Sequence, residues 1–322
     1  MTDSLVSLND QAAALAHYRP SFIQRLARFW GIAEIPLDEL RAKYENEHSR
    51  YVEVEGTRVH YRVEGQGPHL LLLHGVMAHL QTWDGWVERL SEHFTITRID
   101  VPGFGLTGPM HNRDYTPETA LRFFEASRKA LGIERFSIAG NSLGGFLSWY
   151  YASHHPERVE KLILIDPLSY PQDAPAIMRF ATAPIIRTIA PRCVPRPFIL
   201  NSLREVYGDP SKVTGAQVRR YHDLLLRPGN RQAMIDYFDN SHLFFTLDDD
   251  GQGKYSRKIA ELQCPTLLMW GEKDAWIPVR HVESFQRDVP HIQVKRYAGL
   301  GHVPMEEMPD LTARDALTFL KS

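Results

Sequence analysis

Ser142, Asp274 and His302 lie far apart in a chain of 322 residues, yet each stands where a nucleophile, its orienting acid and its base would have to stand. Ser142 is the centre of Ile138–Gly145, IAGNSLGG, which fits G-x-S-x-G through Gly140, Asn141, Ser142, Leu143 and Gly144. The segment before it reads as a strand and the segment after it as a helix, the context a nucleophile elbow requires. On such a turn small neighbours leave the hydroxyl clear, and the helix N-terminus favours a developing anion. An ordinary glycine-rich strand-to-helix connection has the same letters, so the motif needs partners. A serine hydroxyl is a weak nucleophile without a base, and the base must be oriented by an acid. His302, in YAGLGHVPMEE, follows the predicted strand IQVKRY; Asp274, in TLLMWGEKDAWIP, follows the predicted strand TLLMWG. All three therefore fall at C-terminal strand ends, the edge where open α/β sheets bind ligands. Their order along the chain, Ser then Asp then His, is the order this motif uses.

The elements that must hold these residues follow from the hydrophobic period. Residues 1–48 show no strand pattern. Phe22, Ile23, Leu26, Phe29 and Trp30 recur at helical spacing, with Gln24, Arg25 and Arg28 opposite. A stripe of this kind serves a membrane surface or a partner, but an amphipathic helix ordinarily packs on its own protein, and that is the expectation here. From Tyr51, YVEVEG and RVHYRV alternate around Gly56–Thr57, a β-hairpin. HLLLLHG is a continuous apolar run suited to a strand buried on both faces. A helix around Trp83–Ser91, the strand FTITRID, a helix opening at Thr116–Pro117–Glu118 and ending near Gly132, the strand RFSIAG, a helix over Ser142–Ser153 and the strand KLILID follow. Thr116 is expected to cap its helix through its hydroxyl, ahead of Pro117 at the first turn. This alternation predicts an α/β fold with a mostly parallel sheet and right-handed crossovers. It resumes with TLLMWG, a helix around Val279–Asp288, IQVKRY and a last helix over Pro309–Leu320. Between Asp166 and Ile259 prolines stand among helical pieces such as Gln217–Leu226 and Arg231–Phe238. About ninety residues is too long for a structureless loop. The stretch reads as a helical cap over the catalytic edge of the sheet. The organisation expected is a helical extension over 1–48, core over 49–167 and 259–322, and a cap over 168–258.

Composition narrows the function. With 43% apolar residues the chain can bury a large core, and a net charge of −2 gives no reason to expect nucleic acid as a partner. The two cysteines, Cys193 and Cys264, make no disulfide scaffold. Met1–Asp10 lacks the basic start and apolar run of an export signal, and no apolar run approaches the roughly 18 residues of a membrane span. A cytoplasmic protein is expected, with its oligomeric state left open. His154–His155 lacks the spacing and partners of a metal site, and GQGP at Gly65 precedes a strand rather than opening a helix. Neither metal nor cofactor is expected.

HGVMAHLQTW, DVPGFGLTG, GNSLGG and the GEKD…GHVPMEE pair together resemble the α/β-hydrolase superfamily, over nearly all of 50–166 and 259–322. The resemblance implies the α/β-hydrolase fold, Ser142 as nucleophile, His302 as general base and then acid, and Asp274 as the residue fixing the histidine tautomer. It maps one oxyanion-hole N–H onto Val76, after His74–Gly75, and the other onto Leu143. His74 reads as a structural histidine and Asp100, in DVPGFG, as part of a structural turn. Asp166 is the fallback acid, because some relatives place it one strand earlier. Met77, His79, Trp83, Phe146 and Trp276 are candidates for the acyl pocket, with ordinary packing as their alternative.

A serine nucleophile argues against epoxide hydrolase and dehalogenase chemistry, which in this superfamily uses an aspartate. It suits acyl transfer, and GNSLGG with a helical cap resembles bacterial carboxylesterases and lipases. The expected substrate is a small-molecule carboxylic ester with a small to medium apolar acyl group. The alternative is C–C bond hydrolysis of ring-fission products; relatives of that kind carry a more glycine-rich loop than HGVMAHL. Acyl transfer to another alcohol, and a ligand receptor on a hydrolase fold, are the remaining readings. A histidine base implies that activity falls as pH drops through the imidazole range, ordinarily about 6.5.

Overall fold

The structure is a computed structural model, and it describes residues 20–240, 247 and 253–322. Residues 1–19 of the N-terminal extension and part of the cap, 241–246 and 248–252, lie outside the described residues. Two short helices, α1 (Phe22–Phe29) and α2 (Leu37–Tyr44), precede the sheet. The hairpin β1 (Ser49–Val54) and β2 (Thr57–Gly65) turns on Glu55–Gly56, one residue earlier than the sequence suggested. Both turn residues have positive φ (46° and 76°), the geometry whose twist matches that of the flanking strands.

The core then alternates: β3 (His69–Leu73), α3 (Asp84–Leu90), β4 (Thr95–Ile99), α4 (Pro117–Ala130), β5 (Phe136–Asn141), α5 (Leu143–His154) and β6 (Val159–Ile165). Between β6 and β7 the described chain is helical: α6 (Ala176–Thr182), α7 (Pro184–Ile189), α8 (Arg196–Val206), α9 (Gly215–Leu225) and α10 (Asn230–Asn240). The core resumes with β7 (Thr266–Gly271), α11 (His281–Asp288), β8 (Gln293–Tyr297), α12 (Pro304–Glu307) and α13 (Pro309–Lys321). The eight strands are ordered β1-β2-β4-β3-β5-β6-β7-β8. β1–β2 and β2–β4 pair antiparallel and the remaining pairs are parallel, so the mostly parallel sheet expected from the alternation is what the chain builds.

Two local expectations change. Thr116 makes no side-chain cap for α4. The Thr116 hydroxyl is drawn to Asp114 instead: that carboxylate accepts from Thr116 N–H at 3.0 Å and from the hydroxyls of Thr116 and Thr119 at 2.8 and 2.6 Å. A carboxylate is favoured near the positive end of a helix. Among the described residues, the stripe of α1 touches the body only through the half-buried Phe29. No residue of α1 is buried, and Phe22, Ile23, Leu26 and Trp30 are all exposed.

The strand HLLLL is buried from Leu70 to Leu73, and β5 and β7 are buried at every position. Helices therefore cover both faces of the central sheet. Glycines let α5 press against this sheet. A Cβ on Gly144 would overlap the carbonyl oxygens of Leu73 and His74, and one on Gly140 would overlap Gly144 and Ser148. Gly144→Ala is therefore expected to cost about 3 kcal/mol or more, because the neighbours are backbone and cannot yield. Urea unfolding checks this; an unchanged midpoint would show that α5 has room to move.

Candidate active site

The turn between β5 and α5 holds Ser142 at φ 54° and ψ −116°, a sparsely populated conformation for a residue with a side chain. Its N–H is tied to Ile165 O at 3.1 Å and its carbonyl accepts from Phe146 and Leu168 at 2.9 and 3.0 Å. The strained residue is thus fixed from three sides. Gly75 lies over it, where a Cβ would come within 3.0 Å of Ser142 Cβ.

His302 and Asp274 meet across the ends of β8 and β7. His302 Nδ1 and Asp274 Oδ2 are 2.7 Å apart, and both side chains are almost fully buried. Asp274 Oδ1 accepts from the N–H groups of Trp276 and Ile277 at 2.7 and 3.0 Å, so both carboxylate oxygens are committed. His302 Nε2 is buried without a hydrogen-bond partner. A bond from Nδ1–H to Asp274 leaves the lone pair of Nε2 free, the tautomer a general base needs. His302 lines the same cavity as Ser142.

The acid paired with His302 is Asp274 and not Asp166. Asp166 is fully buried at a positive φ of 43°. Its Oδ1 accepts from Gly271 N–H at 2.9 Å, while Oδ2 finds no donor. Burial and the neighbouring Asp274 charge push its carboxyl well above the usual carboxylate range. Among the described residues, Asp166, Asp274 and His302 are the one group whose ligand atoms (all within 4.8 Å) could gather round a metal ion. A cation there would have to displace the His302–Asp274 bond.

Val76 follows the end of β3, and its N–H makes no hydrogen bond among the described residues. Leu143 is the first residue of α5, where the N–H lies outside the helical ladder. His74 fixes the Gly75–Ala78 turn from below: Nδ1 bonds Gly75 O at 2.8 Å and Nε2 accepts from Val101 N–H at 2.9 Å. Burial lowers its pKa, so it is a neutral structural residue, as its sequence context suggested. Burial alone would raise the Asp100 carboxyl. The His60 imidazole at 2.7 Å and N–H donors from Leu80 and Leu106, both at 2.8 Å, hold it well below the usual range instead.

Of the five pocket candidates, Met77 and Trp276 line the cavity and three do not. Trp83 is fully buried against Trp86, Phe146 is buried against Trp149 and Tyr150, and His79 lies behind Tyr221 at 4.6 Å. Burial of an indole, at about 25 cal/mol per Å² over 150–250 Å², is worth on the order of 4–6 kcal/mol, which is reason enough for Trp83 to be there.

Two largely apolar chambers meet at Ser142. Both are bordered by Val76, Ser142 and Trp276. The first runs past Met77 and His302 to Ile199, Leu203 and Val206 of α8. The second runs past Leu143 to Leu168, Pro175, Met178 and Tyr237. The helices between β6 and β7 thus supply most of the far walls, and no periodicity in the sequence marked those residues.

Two positioning residues were also unmarked. Asn141, the variable residue before Ser142, donates through Nδ2 to Ile165 O and His302 O at 3.1 and 2.9 Å. Glu307, at the end of GHVPMEE, accepts from the N–H groups of Gly208, Asp209 and Gly301 at 3.0, 2.8 and 3.0 Å. With His302 N–H on Val206 O at 2.7 Å, these bonds stitch the end of α8 to the histidine loop. Only their place beside the two motifs pointed to them.

Residues 68–183 match the family model of the alpha/beta hydrolase fold. An uncharacterized protein of Mycobacterium tuberculosis is 28% identical over 266 residues, covering 80% of this chain and 76% of its own. A pimeloyl-[acyl-carrier protein] methyl ester esterase of Nitrosomonas europaea is 26% identical, covering 78% of this chain and 95% of its own. Among solved structures, a bacterial membrane phospholipase A superposes with a TM-score of 0.72 at 24% identity, covering 99% of this chain and 96% of its own. The chain has the α/β-hydrolase fold, and its relatives include esterases.

Proposed function

We propose that the chain is a serine hydrolase that cleaves carboxylic esters with small to medium apolar acyl groups through an acyl-enzyme. The observation that carries this reading is a single constellation. A strained Ser142 at a helix N-terminus shares a cavity with a histidine whose Nδ1 is bound to Asp274 and whose Nε2 is buried and unpartnered. In this reading His302 Nε2 takes the Ser142 proton as Oγ attacks the ester carbonyl. The N–H groups of Val76 and Leu143 receive the oxyanion. The proton passes to the departing alcohol, and His302 then deprotonates the water that releases the acid. Ester and water become acid and alcohol. The esterase relative supports the ester chemistry, and two apolar chambers either side of Ser142 suit an acyl chain and an apolar alcohol.

The test is a series of p-nitrophenyl esters of rising chain length run beside a ring-fission dienoate. Turnover of the esters with little on the dienoate is expected; the reverse would move the reading to C–C hydrolysis. Tyr237 should set the chain-length limit. Tyr237 borders the second chamber and also a separate apolar cavity lined by Leu73, Val101, Met110, Tyr115 and Phe124. Its hydroxyl donates to Pro102 O at 3.0 Å, and its ring stacks on Phe104 and lies tilted against Tyr115. Tyr237→Ala would open the second chamber into that cavity and lengthen the room for a chain. The kcat/KM ratio of a long to a short ester is expected to rise on the order of tenfold. An unchanged ratio would place the acyl chain in the other chamber.

A further inference from the structure

We infer that α1 and the segment through α6, α7 and the start of α8 form one face that docks on an anionic lipid surface. Phe22 and Ile23 are 71% and 77% exposed, and Leu26, Trp30 and Ile32 are exposed beside them. In the cap, Ile185 is 73% exposed, with Phe180 and Ile189 also in solvent. The two groups are joined. Cys193 Sγ reaches Trp30 O at 3.3 Å, Val194 N–H donates to Gly31 O at 3.4 Å, and the Arg231 guanidinium bridges Gly31 O and Arg192 O. Arg196 covers the ring of Phe29 at 5.6 Å. Apolar side chains this exposed over two adjoining helical segments form a contiguous patch, which monomeric surfaces seldom carry without a use.

Charge selects the occupant. Residues 176–196 hold four arginines and no acidic residue, and residues 20–33 hold Arg25 and Arg28 and none either, in a chain whose net charge is −2. Arg28, Arg187 and Arg196 are paired with Glu39, Asp239 and Asp223. Arg25, Arg179 and Arg192 have no ion pair among the described residues. A second copy docking by the same face would set these arginines against their own counterparts, which costs affinity. A bilayer with anionic headgroups takes both the apolar stripe and the arginine rim. No described helix is long and apolar enough to cross a membrane, so the contact is peripheral. The face also adjoins the walls of the candidate site: Phe180 is two residues from Met178, and Arg196 three from Ile199, both chamber residues.

Docking does not depend on the ester-hydrolase reading, and its test is independent of turnover. The full chain is mixed with phosphatidylcholine vesicles, with and without phosphatidylglycerol, and sedimented. Trp30 is exposed and the other five tryptophans are buried, so a blue shift on binding reports this face. Binding to the anionic vesicles is expected, with a blue shift. Each unpaired arginine near the surface should contribute about fivefold, lost at high salt. Ile23→Asp with Ile185→Asp should weaken vesicle binding more than tenfold and leave the turnover of soluble p-nitrophenyl butyrate unchanged. Arg25→Gln with Arg179→Gln should remove only the preference for phosphatidylglycerol. Absence of binding to either vesicle, equal binding by the aspartate variant, or a concentration-dependent dimer that the aspartate variant abolishes would each overturn the proposal.

Discussion

Ser142→Ala is expected to lower turnover of p-nitrophenyl esters by about 10⁴–10⁶-fold, with no loss of thermal stability. The size follows from removing the nucleophile of a unit whose members act together. What remains is whatever the Val76 and Leu143 N–H groups and the chambers contribute. The fold should not notice the change. Ser142 Oγ makes no hydrogen bond among the described residues, and alanine meets the same backbone strain at φ 54°. The backbone bonds of residue 142 to Ile165, Phe146 and Leu168 are kept. A fluorophosphonate probe should label the wild type at Ser142 and leave the variant unlabelled. Turnover retained in a folded, unlabelled variant would put the nucleophile elsewhere and remove the ester-hydrolase reading.

Ser142, Asp274 and His302 were legible as candidates because each follows a strand pattern and a glycine: buried runs before Ser142 and Asp274, and the more exposed β8 before His302. The alternating hairpin and the strand-helix order were legible for the same reason. What eluded the sequence depends on approach between distant segments. Asn141 and Glu307 act by bonding loops some 160 and 100 residues away, and nothing in their neighbours encodes that distance. Trp83 and Phe146 stand beside the motifs that line the site, yet their rings point into the core, since a side chain's partners are not written in its position along the chain. The stripe of α1 was visible as a period of 3.6, but a period gives a face and not what covers it. The same limit explains the cap, whose helices were readable as helices while the chamber walls they make were not.

Asp166 and Asp274 give the sharpest separation of roles. Asp274→Asn is expected to lower kcat by about 10⁴, because the asparagine amide can present an N–H to His302 and favour the wrong tautomer. Asp166→Asn should keep activity within a few-fold. An asparagine carbonyl still accepts from Gly271 N–H, its amide carries no charge beside Asp274, and asparagine tolerates φ 43°. The pH dependence of stability differs too. Native Asp166 keeps its proton above the pH, about 3.9, at which an unfolded aspartate loses it. The native state then binds more protons than the unfolded state, so stability falls as pH rises beyond that point until Asp166 itself ionises. Asp166→Asn removes this slope. Its stability relative to wild type should therefore improve as pH rises above about 4, read from urea midpoints at each pH. A large activity loss in Asp166→Asn with little in Asp274→Asn would reverse the assignment of the acid. A flat difference in midpoints would mean that Asp166 is ionised beside Asp274, and that the pair is held apart by something other than a proton.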